Sequence, residues 1–353
     1  MDAVPKRIAV QDLRDFCLSL FQKLDFAEEY AKAVTEAMLE GHLRGAHNQG
    51  LGRLPIYVKR IELGLINAKP VHRVVRDSGA AAVLDGDHGM GHYAASKAMN
   101  MAIQKAEKHG IGAVGVMNST HFGVAAYYGR LAVDREKIGM VFTNSTALMA
   151  ALGGAERLIG NNPLSIAVPR PGHAPVLLDM ACSNVSYSTI QRAVQEGSQI
   201  PSGWGTDKNG VETNDPAAVL DMGMLIPAGV HKGYGLAVMI DILAGVLTGS
   251  AFGKDVGHLY KDLKDKQRTG HFLMAIDIDH FIDRKSFFNR LETFIESIKS
   301  SPRAPGVEEL LLPGERSDRR RQGTLQAGVA LPGGIVQQLG ELAEKFELKQ
   351  LAP

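Results

Sequence analysis

"VLDGDHGMGHYAASKAMNMAIQKAEKHGIGAVGVMNSTHFG", Val83–Gly123, is the stretch whose reading decides the fold. An apolar, strand-like run leads through Gly89-Met90-Gly91-His92-Tyr93-Ala94, a G-x-G-x-x-A, into a long helical pattern and then a second apolar run. In a Rossmann unit such glycines let backbone approach a pyrophosphate at a helix N-terminus, and an acidic residue ends the next strand to take the ribose hydroxyl. Here the next strand ends in Asn118 and Ser119. With that carboxylate missing, the segment reads as a strand, a plain tight turn and a helix rather than a Rossmann unit.

Working outward, "VVRDSGAAAVLDGD", "IGAVGVMNS" and "IGMVFTNST" read as short buried strands, separated by the helical "AASKAMNMAIQKAEKHG" and "AAYYGRLAVDREK". This alternation argues an α/β layer with some parallel pairing. "LSIAVP", "PVLLDMA" and "HFLMAIDID" add strand candidates; "HKGYGLAVMIDILAGVL" and "SFFNRLETFIESIKS" add helices. Upstream, Leu13, Phe16, Cys17, Leu20 and Phe21, then Tyr30, Ala31, Val34, Ala37 and Met38, recur at helical spacing, and Pro55–Leu63 reads as a third, short helix closed by Gly64. Gly253 to Gly270 reads as an exposed polar excursion, and "GERSDRRRQG" as a basic loop before a last helix near Gly334 to Phe346.

The 353 residues are 45% hydrophobic and 22% charged, the composition of an ordinary globular protein with room for a sizeable core. Lys+Arg 39 against Asp+Glu 38 leaves no broad basic field, which excludes nucleic acid and anionic membranes as default partners. Charges at Lys6, Arg7, Asp12, Arg14 and Asp15 break any leader-like apolar run, and Cys17 and Cys182 form no Cys-x-x-Cys, so a reduced protein of the cytoplasm is expected. No Walker A loop, H-E-x-x-H, serine elbow or cysteine metal spacing occurs, so metal catalysis is not supported.

Chemistry-bearing residues gather in a few junctions. "NSTHFG", Asn118 to Gly123, places His121 at a strand's C-terminal end, where α/β sheets hold ligands. "TNST", "GNNP" and "DMACS" flank other strand-like runs and together suggest one rim built from several strand ends. "HKGYGL" puts Lys232 at the start of an apolar helix, where a cation and free N–H groups suit a phosphate. "GHLRGAHNQGLGRLPIYV", Gly41–Val58, packs two histidines, a glutamine and two arginines between glycines.

Taken in order, "HLRGAHNQGLGRLPIYV", "VLDGDHGMGHYAA", "NSTHFGVAAYYGRLA", "IGNNPLSIAVP", "LLDMACS", "HKGYGLAVMIDILAGVLTG" and "LLPGERSDRRRQ" resemble the malate/L-lactate dehydrogenase family, which is distinct from the Rossmann lactate dehydrogenases and includes ureidoglycolate, sulfolactate and diketogulonate oxidoreductases and piperideine/pyrroline-2-carboxylate reductases. The resemblance implies a non-Rossmann nicotinamide-binding mixed sheet with helices, a helical subdomain formed by residues 1–70 with 315–353, and a cofactor-binding α/β domain over 71–314 with an excursion near 251–270. It also implies a homodimer that exchanges hydride between NAD or NADP and a small 2-oxo, 2-hydroxy or 2-imino carboxylate. By position it implies cofactor contacts at His121, Phe122, Gly123, Val124 and Ala125, at Ser145, at Asp179, Met180 and Ala181, at Lys232 and Gly233, and at Pro313, Gly314 and Glu315, with substrate contacts at Arg53 and Asn161.

In one segment the chain departs from the family. The usual Ser-His-Gly-Val-x-Arg supplies a histidine as proton donor; aligned on Gly45, Gly50, Arg53 and Pro55, this chain has Asn48 and Gln49 there. A carboxamide hydrogen-bonds but has no proton to exchange near neutrality. Three readings follow: His47 or His121 is the acid, a protonated cyclic imine brings its own proton, or the chain binds a ligand without turnover.

Overall fold

A computed structural model describes residues 7–351; the ends of the expected helical subdomain, residues 1–6 and 352–353, lie outside it, Lys6 among them. The amphipathic stripes at the start fold as α1 (Val10–Lys23), α2 (Glu28–Leu43) and α3 (Leu54–Glu62), and every stripe residue named above is buried. Pro55 stands in the first turn of α3, and Gly64, at φ +70°, lies just past its end.

The strands that follow are β1 (Arg73–Ser78), β2 (Ala81–Asp85), β3 (Ile111–Ser119), β4 (Ile138–Thr143), β5 (Leu164–Val168), β6 (Val176–Met180) and β7 (Thr269–Ile276). They form one seven-stranded sheet in the order β1-β2-β3-β7-β4-β5-β6. The helices after α3 are α4 (Gly91–His109), α5 (Ala125–Val133), α6 (Tyr187–Gln195), α7 (Pro216–Leu220), α8 (His231–Asp241), α9 (Arg284–Lys299), α10 (Glu315–Ala327) and α11 (Gly333–Phe346). Only β2 and β3, joined by the α4 crossover, run parallel; the other neighbours in the sheet are antiparallel. The expected parallel pairing is thus confined to one βαβ unit.

The G-x-G-x-x-A has a packing explanation. A side chain at Gly91 would stand 2.0 Å from the Thr120 carbonyl, so the start of α4 lies directly against the loop after β3, and Thr120 Oγ1 accepts the Gly91 N–H at 3.0 Å. The glycine admits protein backbone, with no space left for a phosphate.

Four expectations need correction. β1 is not buried: it is the sheet edge, and Val74 and Val75 are exposed. "GERSDRRRQG" is not a loop but most of α10. This helix carries no apolar stripe; its one buried residue is Asp318, and it is held by ion pairs, Arg321 to Glu40 at 3.0 Å and Arg130 to Asp318 at 3.4 Å. Hydrophobic periodicity cannot detect such a helix. The excursion after Gly253 is not a free polar loop. The buried Arg60 guanidinium donates to the carbonyls of Leu259 (3.3 Å), Asp265 (3.0 Å) and Asp262, while Val256, Leu259 and Gln267 are buried. Finally, α6 was not anticipated; Ser186 caps it by accepting the Thr189 N–H at 3.2 Å, and Ile190 and Ala193 face inward.

One apolar core joins α1–α3 to α11 and takes in Leu259. A second fills the space between the sheet and α4 and α5. Cys17 and Cys182 are free and buried.

Candidate active site

The sheet register explains why the polar junctions meet. Ser119 pairs with Thr269, Thr143 with His271, Phe142 with Leu164, and Leu164 with Met180. The C-terminal ends of β3, β4 and β6 and the N-terminal ends of β5 and β7 therefore form a single edge, the rim read from the sequence. Hydrogen bonds tie it together. Ser145 Oγ donates to Asn161 Oδ1 at 3.0 Å, Cys182 N–H donates to the Asn161 carbonyl at 2.8 Å, and Ala228 N–H donates to the Cys182 carbonyl at 2.8 Å. Met180 and Ala181 stand half-buried between Asp179 and this bond.

Asp179 Oδ2 accepts the Ala126 N–H at 3.0 Å, which joins the end of β6 to the start of α5. Surrounding protein pushes its carboxyl up to about 6 although the side chain keeps solvent access, and its second oxygen has no partner among the described residues. Before it, Leu177 N–H donates to the Pro313 carbonyl at 2.9 Å, and Gly314, at φ +90°, lies so close that a side chain there would meet the Leu177 carbonyl at 2.7 Å. Glu315 accepts from Leu312 N–H at 2.9 Å and pairs with Lys299 at 2.5 Å, so its carboxylate is committed to the protein.

Lys232 is exposed at the start of α8 with no ion-pair partner among the described residues. The free N–H groups expected beside it are not free: those of Lys232, Gly233 and Tyr234 bond Gly229, Ala228 and Val230 carbonyls at 3.2, 2.7 and 3.2 Å. Beside the side chain, only the His231 N–H remains without a hydrogen-bond partner among the described residues.

The departure segment forms two short 3-10 turns, His47–Gln49 and Leu51–Arg53, that lead into α3. Gln49 Oε1 lies 2.9 Å from His121 Nε2, and the Tyr57 hydroxyl 2.6 Å from His121 Nδ1. His121 N–H donates to Gln267 Oε1 at 3.0 Å, so the excursion fixes the backbone of this loop. Phe122 stacks on the buried His271 at 4.7 Å, Gly123 takes φ +79°, and Val124 and Ala125 begin α5. Burial first, and then the charge of Arg53, hold the His121 imidazole well below its usual range; His92 and His271 behind it are held to about 3, chiefly by burial. All three rings are neutral at pH 7.

Arg53 donates through Nε to the Asn48 carbonyl at 2.8 Å and lies over the Tyr260 ring, 5.7 Å from its centroid. Its Nη2 has no partner among the described residues, and Asn48 donates to Ser188 Oγ. His47 points elsewhere: its Nδ1 meets His42 Nδ1 at 3.0 Å, while His42 Nε2 accepts the Leu51 N–H at 2.8 Å. Asn162 of the "GNNP" junction accepts the Ser145 N–H through Oδ1 at 2.9 Å, while sequence reading missed Tyr57, Tyr260 and Gln267. Tyr57 carries a usable signal, four residues after Arg53 on one helical face. The others depend on tertiary contacts alone.

The malate/L-lactate dehydrogenase family model matches residues 8–340. A malate dehydrogenase of Pyrococcus abyssi is 37% identical over 98% of this chain and 96% of its own length, and an NAD(+) ureidoglycolate dehydrogenase of Escherichia coli K12 is 32% identical over 88% of each. The solved sulfolactate dehydrogenase of Methanocaldococcus jannaschii superposes with a TM-score of 0.91 at 33% identity, covering 98% of both chains. With its rim of strand ends, its arginine beside a polar pair and this family match along nearly its whole length, the chain belongs to the malate/L-lactate dehydrogenase family.

Proposed function

We propose that this protein is an NAD-dependent oxidoreductase that interconverts a small 2-oxo and 2-hydroxy carboxylate of the malate and lactate type. The observation that carries the reading is the Arg53 guanidinium with a free Nη2 beside the Gln49–His121 pair. A planar fork binds a carboxylate through two parallel hydrogen bonds. Arg53 anchors the substrate acid, with Asn48 and the Asn161 backbone beside it, and Gln49 and His121 serve the reacting oxygen.

The rim suits a dinucleotide by its donor set. Lys232 supplies an unpaired cation for phosphate, the free Asp179 oxygen an acceptor for a ribose hydroxyl, and Ser145 a hydroxyl. His121 to Ala125, Met180, Ala181 and Gly233 line the same edge, and Pro313 to Glu315 close it beside β6. When bound, the nicotinamide supplies hydride to the substrate carbon. Everything else is the chain's own contribution: Arg53 orients the acid, and the neutral histidines keep the site free of a second cation. NAD takes precedence over NADP by likeness to the NAD(+) relative.

Residues 1–70 with 315–353 are assigned as the helical subdomain and 71–314 as the cofactor domain, a division supported by the core that joins α1–α3 to α11. A homodimer is supported by the exposed apolar stripe Leu236, Met239, Ile242 and Val246 along α8 and the turn after it. Free buried cysteines fit a reducing cytoplasm. Titration of NADH and NADPH fluorescence, followed by NADH oxidation with a panel of 2-oxo acids, tests the reading; binding and turnover are expected, and absence of both rejects it.

A further inference from the structure

We infer that Tyr57 is a positioning residue for the reaction: its buried hydroxyl fixes His121 as the Nε2–H tautomer, which holds Gln49 with its carboxamide NH2 free to meet the substrate oxygen. The inference rests on the 2-oxo acid reading above.

The Gly123 backbone N–H approaches His121 Nδ1 at 3.3 Å. A backbone N–H can only donate, so Nδ1 carries no hydrogen. The Tyr57 hydroxyl, 2.6 Å from the same nitrogen, must then donate to it. The remaining hydrogen of the neutral ring sits on Nε2, and the Gln49 atom that faces it at 2.9 Å is the acceptor, Oε1. With Oε1 engaged, the Gln49 NH2 has no partner among the described residues and is the pair's outward face. Tyr57 is fully buried, edge-on to His92 at 5.5 Å, and His121 is its hydroxyl's one partner among the described residues.

This answers where the expected histidine's work is done. During reduction hydride adds to the carbonyl carbon, the Gln49 NH2 stabilises the charge that develops on oxygen, and that oxygen takes its proton from water; oxidation of the alcohol reverses each transfer. Gln49 gives a hydrogen bond and keeps its own hydrogens. The same arrangement selects substrate class. A ketone oxygen accepts from an NH2, whereas a protonated imine offers an N–H and meets it donor to donor. The geometry therefore favours 2-oxo over cyclic 2-imino acids.

The test is a double-mutant cycle in the full-length protein. Tyr57→Phe keeps the ring and its packing; with a 2-oxo acid its kcat is expected to fall about 10- to 100-fold while KM stays within about threefold. Gln49→Ala is expected to fall at least as far, and Tyr57→Phe added to Gln49→Ala to cost less than about twofold more, since Tyr57 acts through Gln49. Additive losses, or an unchanged kcat in either single variant, overturn the inference. Imidazole 15N NMR of His121 supplies a readout independent of turnover. A protonated Nε2 with a bare Nδ1, its population reduced in Tyr57→Phe where only the longer Gly123 N–H contact remains, supports the inference, and a protonated Nδ1 in the wild type overturns it. Wild-type protein that shows the expected tautomer but reduces no 2-oxo acid overturns the functional reading instead.

Discussion

Two histidine clusters meet the segment between α2 and α3, His42 with His47 and His121 with Gln49 and Tyr57, and they differ in one respect that separates structure from chemistry. In the first, His42 is fully buried and both its ring nitrogens are spent inside the protein, one on the Leu51 N–H and one on His47. In the second, His121 is tied to Tyr57 and Gly123 on one nitrogen, but its other nitrogen leads to Gln49, whose amide is still open. A buried histidine whose bonds close on themselves stabilises the fold. One whose chain of bonds ends on an open donor beside a free arginine is placed to act on a ligand.

The largest expected effect touches both clusters. His42, His92 and His271 have folded values of about 3 against about 6.5 in the unfolded chain. Because the folded values are depressed, the unfolded state takes up protons first, so the contribution of these rings is level above pH 7 and falls as pH drops from about 6.5 towards 3. Three such rings cost together roughly 4 kcal/mol per pH unit at full slope. Asp179, raised to about 6, works in the opposite sense below that pH and offsets part of the loss. Urea denaturation at pH 7.5, 6 and 5 is expected to show a steep decline; a flat profile means that the rings are charged or open.

Arg53→Ala sharpens the comparison from the catalytic side, with an expected loss of roughly 1,000-fold in kcat/KM, or about 4 kcal/mol, and unchanged unfolding. Arg53→Lys recovers part of it but not the two-point grip. Next in size, Arg60→Met removes the buried guanidinium that holds three carbonyls of the 259–265 segment and should cost about 3 kcal/mol of stability. It should also lower activity, because Tyr260 and Gln267 ride on that segment. Full stability would show that the segment docks without it. Smallest, His42→Gln should cost about 2 kcal/mol while leaving kcat/KM of the folded protein within about twofold. A folded but inactive His42→Gln would break the distinction between the two clusters.

Much of this was legible in the sequence because burial leaves a period. The stripes of α1 and α2, the strands at the rim and the failed carboxylate at Asn118 and Ser119 all follow from side-chain pattern. What escaped detection is held by charge or by distant contacts. The helix α10 docks through Glu40, Arg130 and Arg321 with no apolar face, and the excursion is drawn inward by one buried arginine some 200 residues away in sequence. Resemblance to the family motif alone identifies Gln49 as the residue standing where a histidine is expected, and Arg53 as the anchor. The links that give Gln49 its orientation, Tyr57 and the Gly123 N–H, exist only once α3 and the loop after β3 are packed together.

The most direct measurement is the initial rate of NADH oxidation by the purified protein with a panel of 2-oxo acids, run beside Arg53→Ala at equal folded concentration. The expected result is saturable turnover in the wild type, with kcat/KM about 1,000-fold lower in the variant. Turnover that Arg53→Ala leaves intact, or a wild-type protein that binds NADH and reduces no 2-oxo acid, would contradict the account.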